Sequence, residues 1–276
     1  MKPDTEGRPE ERNFVMQLTN AGVLIDMDGC RILIDPFSAA HNQQLRVSVP
    51  FAGTTADQAE KLISRKGVFR HVDLMLISHD HVDHYSLPLT CRFLEHHPET
   101  TLAARAYLID EIREACGEKL ENPCLVLKGE DGKTDRITAG GVGIRAWSTR
   151  HAGTTDYYQE AKHLTFRLDG SWSCVFLGDM EPSEDNFDRI QDAACPDVAV
   201  VPYLYAILRK AEKILDSRMT PGLICFNHIP DPEGEAGSWR NAVYTRVSRL
   251  RELNRNRIVL DEFGMMIPMS ESVGKR

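Results

Sequence analysis

Apolar residues fall along the chain in short blocks of two rhythms. Residues 14–18, 22–26 and 31–34 are mostly apolar over runs too short for helices and predict three early strands. Asp28-Gly29 separates the second from the third, a pair suited to the positive φ values of a two-residue hairpin. From 55 to 66 the apolar positions recur at helical spacing, with Thr55 placed to cap the first turn. Residues 72–78 form a nearly continuous apolar run, the pattern of a strand covered on both faces. Helical spacing returns over 87–95 and over 104–116, where Gly117 stops it. Strands are predicted at 124–128, 143–148, 163–168 and 173–177, and again at 198–201, 223–226 and 258–260. Helices are predicted over 184–194, 205–215 and 239–253. This order suits two packed sheets with helices outside, and also other layered α/β folds.

Composition narrows the class. The 276 residues carry 33 Lys plus Arg against 41 Asp plus Glu, a formal charge of −8. With 42% hydrophobic and 27% charged residues, the chain reads as globular rather than disordered, collagen-like or coiled-coil. The acidic balance argues against general nucleic-acid binding, which needs a basic footprint. Residues 1–12 are polar and charged, lack the apolar stretch of a secretory signal, and read as a flexible tail. Residues 13–276 show no linker or repeat and read as a single domain. The best candidate for a membrane span, 198–208, is too short and contains Pro202. Seven scattered cysteines without a CxxC pair fit reduced, mostly buried thiols, and with them a cytoplasmic location.

The chemistry concentrates in Ser78-His79-Asp80-His81-Val82-Asp83-His84, directly after an apolar run. In an extended chain His79 and His81 project to the same side and can converge on one cation. If the chain then turns, Asp83 and His84 can face a second. Neutral imidazole suits zinc and other first-row metals, and a carboxylate adds charge and a bridging oxygen. Further ligands must come from elsewhere. His151, Asp179 and His228 each follow a predicted strand, and Gly178 would let the backbone approach a metal. Singly, each reads as an ordinary loop residue.

Taken in order, His79-x-His81-x-Asp83-His84, His151, Asp179 and His228 resemble the ligand set of the metallo-β-lactamase superfamily of binuclear hydrolases. Asp35, in Ile32-Leu33-Ile34-Asp35-Pro36, matches the family's earlier aspartate, and the resemblance runs from about residue 14 to 263. It implies an α/β fold, a four-layer αββα sandwich of two mixed β-sheets flanked by helices, with the site along one edge. It implies two divalent metal ions, Zn foremost, although Mn and Fe accept the same donors. His79, His81 and His151 would hold the first ion and Asp83, His84 and His228 the second. Asp179 would bridge them, and Asp35 would orient a ligand. The catalytic carboxylates would be Asp83 and Asp179, Asp83 also aiming a metal-bridging hydroxide. Two cations less Asp83, Asp179 and that hydroxide leave the site near +1, so an anionic substrate is compatible with an acidic chain.

The stretch Thr19-Asn20-Ala21-Gly22-Val23-Leu24-Ile25, followed by the strand ending at Asp35, is similar to one branch of that superfamily. The branch includes ascorbate-phosphate lactonase and N-acyl-phosphatidylethanolamine phosphodiesterase. The similarity implies hydrolysis of a phosphoester or lactone of a small, anionic metabolite. Two other enzymatic readings stay open. One is a thioesterase of glyoxalase type, whose basic C-terminal region Arg240, Arg246, Arg249, Arg251, Arg255 and Arg257 would match, although the same stretch also reads as an amphipathic surface helix. The other is a mononuclear iron sulfur dioxygenase, its iron on His79, His81 and Asp179. A non-catalytic binding module is a third, against which the complete ligand set argues. The expected partner is a small molecule, not a nucleic acid or a membrane, and an oligomer is compatible with the sequence. Asp80, Arg150, Tyr157 and Tyr158 are candidates for a proton donor. Asn227 would bind substrate or cap its strand. His41, His71, His96, His97 and His163 fall outside the ligand set; His163 starts a strand, where it has two readings, a place near the site or plain packing, of which packing is preferred.

Overall fold

The computed structural model describes residues 12–39, 41–42, 47–48, 51–232, 234–253 and 255–269. The tail expected over 1–12 lies outside these residues except for residue 12. The chain runs β1 (Phe14–Gln17), β2 (Val23–Met27), β3 (Cys30–Ile34), β4 (His41–Asn42), β5 (Val47–Ser48), α1 (Ala56–Ile63), β6 (Leu74–Leu76), α2 (Leu87–His96), β7 (Thr101–Ala104) and α3 (Ala106–Cys116). Then come β8 (Cys124–Val126), β9 (Thr134–Ala139), β10 (Val142–Ser148), α4 (Asp156–Gln159), β11 (Leu164–Asp169), β12 (Ser173–Phe176) and α5 (Glu184–Arg189). The last are β13 (Val198–Pro202), α6 (Leu204–Ile207), α7 (Arg209–Arg218), β14 (Leu223–Asn227), α8 (Gly234–Glu252), β15 (Arg257–Val259) and β16 (Met266–Pro268).

Two seven-stranded mixed sheets result, ordered β16-β1-β2-β3-β6-β7-β8 and β15-β14-β13-β12-β11-β10-β9. The alternation of side chains along the strands explains the layers. Val23, Ile25, Ile32 and Leu76 of the first sheet meet Ile144, Phe166, Phe176 and Val200 of the second in one buried core. Leu24, Leu33 and Met75, on the opposite face, pack under Leu62, Phe93 and Ile109 of the first helices. Val175, Ala199 and Val201 pack under Phe187, Ile214, Val243 and Val247 of the later helices. The fold is therefore the αββα sandwich of two mixed sheets flanked by helices. Among the described residues no helix is long and apolar enough to cross a membrane.

Local signals explain several boundaries. Thr55 caps α1 reciprocally with Gln58, each side chain bonded to the other's backbone. Asp28 and Gly29 both take positive φ in the β2–β3 turn. Other expectations are corrected. The helix expected at 104–116 begins at Ala106, because 104 closes β7. The helix expected at 205–215 is two, α6 and α7, broken where Leu208 turns extended. The helix expected at 184–194 ends its α-helical part at Arg189. Edge strands β9 and β16 have mixed exposure and so lack a clear apolar period.

The topology gathers strand ends. β3 and β6 are parallel, as are β12, β13 and β14. β10 and β12 are both antiparallel to β11, so they share a direction. The carboxyl ends of β3, β6, β10, β12 and β14 carry Asp35, the 79–84 segment, His151, Asp179 and His228, one end of strands being where α/β sheets usually place their sites.

Candidate metal centre

The apolar strand β6 delivers Ser78 and His79 into the interior, and the chain turns at His81, whose carbonyl accepts the N–H groups of His84 and Tyr85, both at 2.9 Å. Residues 149–152 lie along 179–181, Ala152 N donating to Asp179 O at 2.7 Å and Glu181 N to Arg150 O at 2.8 Å. This sets His151 beside Asp179. His228 N reaches Asn20 O at 3.3 Å, and Asn227 Nδ2 donates to Ala21 O at 2.8 Å, tying the end of β14 to the other sheet. Asn227 is thus a buried structural tie. Gly178 turns with φ of 54°, and a Cβ there would lie 2.5 Å from His163 Nε2. Asp35 and His228 also take left-handed φ values, 48° and 55°, which non-glycine residues rarely adopt.

The sequence-predicted residues come together in two sets. Ligand atoms of His79, His81 and His151 lie within 4.8 Å of one another, as do those of Asp83, His84, Asp179 and His228. Asp179 reaches both: Oδ2 lies 3.3 Å from His151 Nε2 and 3.3 Å from His84 Nε2, and Oδ1 lies 3.6 Å from His228 Nε2. Asp83 Oδ2 lies 3.3 Å from His228 Nε2.

Hydrogen bonds fix which nitrogen faces the centre. Asp35 Oδ1 accepts from Ser78 N at 2.7 Å, while Oδ2 accepts from Ser78 Oγ at 2.5 Å and from His84 Nδ1 at 2.8 Å. With its only proton given to Asp35, Ser78 Oγ accepts from His79 Nδ1 at 2.9 Å. His151 Nδ1 donates to Ala152 O, and His81 Nε2 donates to Tyr157 O at 3.3 Å. Lone pairs remain on Nε2 of His79 and His151 and on Nδ1 of His81. His79 Nε2 and His151 Nε2 are buried without a hydrogen bond. A bare buried acceptor of this kind costs about 1–3 kcal/mol. His84 Nε2 and His228 Nε2 stand 3.0 Å apart. Two nitrogens on one ion at zinc–nitrogen distances sit about 3.0–3.4 Å apart. The donor set therefore fits divalent cations.

Electrostatics agree. Burial pushes His79 well below the usual imidazole range and His81 down to about 4, the neighbouring imidazoles adding to it, so both are neutral at pH 7, the form a metal requires. Burial works against protonation of His84 too, yet the carboxylates of Asp179 and Asp35 outweigh it and hold its proton well above the usual range. Burial likewise raises Asp83 and Asp179, and the imidazoles around them, His228 and His84 above all, bring both below the usual carboxylate range. A pocket that draws a proton onto a buried imidazole has a negative field, and the same field would favour a metal cation.

His163, read from sequence as packing, is part of this apparatus. It is fully buried, its Nε2 accepting the Asp179 N–H at 3.0 Å and its Nδ1 lying 2.8 Å from Thr149 Oγ1. Thr149 Oγ1 is 3.0 Å from Thr165 Oγ1, which donates to Leu177 O at 3.2 Å. Since Thr165 gives its proton to Leu177, Thr149 gives its own to Thr165, and His163 donates from Nδ1. The relay fixes the tautomer that receives Asp179. The signal was present in the sequence: His163 and Thr165 alternate with Leu164 and Phe166, placing two polar residues on one face of a buried strand. Asp80 is exposed and hydrogen-bonds Tyr107, and Arg150 pairs with Asp185 at 3.4 Å on the surface. Tyr157 and Tyr158 do border the histidines.

A family model described as Beta-lactamase superfamily domain matches residues 15–217. No curated protein matches the chain. Among solved structures, a possible metal-dependent hydrolase from Veillonella parvula DSM 2008 superposes with a TM-score of 0.67 at 14% identity, over 94% of this chain and 100% of that one. Isothiocyanate hydrolase from Delia radicum gut bacteria gives 0.59 at 13% identity, over 93% and 99%. A diphosphatase of the PhnP family gives 0.53 at 15% identity, over 90% and 83%. At such identities the likeness is one of fold.

Proposed function

Since the chain belongs to the beta-lactamase superfamily, we propose that it is a metal-dependent hydrolase with a binuclear centre, acting on a phosphoester or lactone of a small metabolite. The observation that carries this reading is the convergence of seven side chains into two ligand sets with Asp179 between them. In this reading His79, His81 and His151 hold one ion, Asp83, His84 and His228 the other, and Asp179 both. Bound there, two divalent cations, zinc by donor type, supply a water acidified to a pKa of roughly 7 and a Lewis acid for the developing oxyanion.

The chain's own residues supply the rest. Asp83, held below the usual carboxylate range, stays an acceptor at neutral pH and aims the attacking water through a hydrogen bond. Asp35 and Ser78 fix the ring planes of His84 and His79, so little reorganisation is left for the reaction. Tyr158 stacks on His151 at 5.3 Å. Burial first, then the charges of Asp83 and Asp179, keep its hydroxyl protonated, and we assign it as hydrogen-bond donor to the leaving group. The diphosphatase among the structural neighbours supports the phosphoester arm.

The test is metal analysis of the purified full chain together with turnover of phosphodiester, lactone and thioester substrates. Near two metals per chain and turnover of a phosphodiester or lactone, lost in His79→Ala, is the expected result. Turnover confined to the thioester, or oxygen consumption by a one-iron protein, overturns the proposal.

A further inference from the structure

Aromatic rings border the histidine cluster on both sides. Tyr157 lies on His81, ring centroids 4.2 Å apart and planes at 11°. Tyr158 covers His151, and a Cβ on Gly153 would come within 2.5 Å of its ring, so this close seat requires the glycine. Across the centre, Phe51 meets His228 edge-on at 4.0 Å and 86°. Tyr203, delivered by the end of β13, lies 6.4 Å from the same imidazole with planes at 29°. Trp239 of α8 then stacks on Tyr203 at 6.3 Å and 18°. Tyr203 is buried, whereas Trp239 is 44% exposed. Ring contacts thus run unbroken from His228 through Tyr203 to an indole at the surface.

This arrangement has a chemical preference. None of these rings carries a positive charge, so the wall does not anchor a second anionic group by ion pairing. It offers π faces and ring edges, which attract flat apolar groups in offset or edge-on contact. Exposing an indole to water is unfavourable by its apolar area, and a planar substituent laid on it removes that area. The polar end of a substrate belongs at the histidines and carboxylates, the flat end at the indole.

We propose that Phe51, Tyr203 and Trp239 form an aryl-binding subsite continuous with the metal centre, and that the substrate is an ester whose cleaved bond lies beside a planar aromatic substituent. This deepens the hydrolase reading above and rests on it. Water gives its hydroxyl to the phosphorus or carbonyl carbon and its proton to the departing oxygen, so no further reactant enters.

Binding and turnover are measured separately. Calorimetry on the metal-loaded full chain compares two inert probes, phenylphosphonate and methylphosphonate. The phenyl probe is expected to bind about tenfold more tightly. The preference falls to near one in Trp239→Ala and is largely kept in Trp239→Phe. Equal affinity for both probes in the parent, or a preference unchanged in Trp239→Ala, overturns the subsite. Absence of phosphodiester and lactone turnover in the same preparation counts against the hydrolase reading, and the calorimetric ratio still decides the subsite.

Discussion

His163→Ala separates the support of Asp179 from the ligands themselves. The imidazole is fully buried, and its removal takes away the acceptor for the Asp179 N–H at 3.0 Å. An unsatisfied buried N–H costs about 1–3 kcal/mol. The ring's volume becomes a cavity, and truncations of this size in a core cost roughly 2–5 kcal/mol in all. Loss of about 3–5 kcal/mol is expected in urea unfolding of the metal-free protein, a large part of the total for any domain. The informative measurement is metal affinity. Asp179 is the carboxylate within reach of both ligand sets, and removing the outer partner of a ligand typically costs about 10–100-fold in affinity. His163→Gln is the control, because its amide oxygen can accept from Asp179 N while its NH2 donates to Thr149. A competition titration with a chromogenic chelator should rank parent first, then His163→Gln, then His163→Ala. Parent-like affinity in His163→Ala, or the two variants binding alike, refutes the relay.

Other consequences are equally measurable. Asp35→Asn replaces an oxygen that accepts from both Ser78 Oγ and His84 Nδ1 with an NH2 group, or turns away the acceptor for Ser78 N. About 2–3 kcal/mol of stability and at least ~10-fold in metal affinity should go with it, and an unchanged chelator titration contradicts that. Adding zinc to the chelated protein should raise Tm in proportion to the logarithm of free metal, since only the folded chain presents the converged ligands; a Tm indifferent to metal counts against the centre. His97 lies buried flat against Phe93, and burial first, then Arg65, pushes it down to about 4 from 6.5. The unfolded chain takes that proton first, so stability falls as pH drops from about 6.5 to about 4 and His97 adds no further loss below, at most about 3 kcal/mol in total. His97→Phe should shed that share of the acid sensitivity, and an identical pH–stability slope in the variant refutes the assignment.

Legibility in the sequence followed distance along the chain. The 79–84 cluster could be read as paired metal ligands because a strand's period and one turn relate its members locally. His151, Asp179 and His228 were individually ordinary, and only the resemblance to a family joined them. The double-faced burial of β6 and β13 was visible as unbroken apolar runs, whereas β9 was not, because an edge strand with one face in solvent carries Thr134, Asp135 and Arg136. Two polar residues on a buried strand face could have revealed His163. Nothing local could have placed Phe51, Tyr203 and Trp239 together, since they come from a loop, the end of β13 and α8. Their meeting is a product of topology.

The division of the ligands between the sheets bears on why the centre holds its shape. Asp35 and residues 79–84 leave the first sheet, whereas His151, Asp179 and His228 leave the second, so each ligand set straddles the sandwich. Direct bonds clamp the two sheets at this edge, Leu164 N to Ser78 O at 3.0 Å and Asn227 Nδ2 to Ala21 O at 2.8 Å. Left-handed backbone at Asp35 and His228 costs on the order of 1–3 kcal/mol each and persists only where the surroundings over-determine it. Here those surroundings are the clamped strand ends and the buried core between the sheets. A cation bound by both sets, as proposed, would add a cross-link between the same sheets. Coordination and core packing would therefore stabilise the same arrangement: the core brings the donors within reach, and a metal held there would relieve the bare buried nitrogens that the core creates.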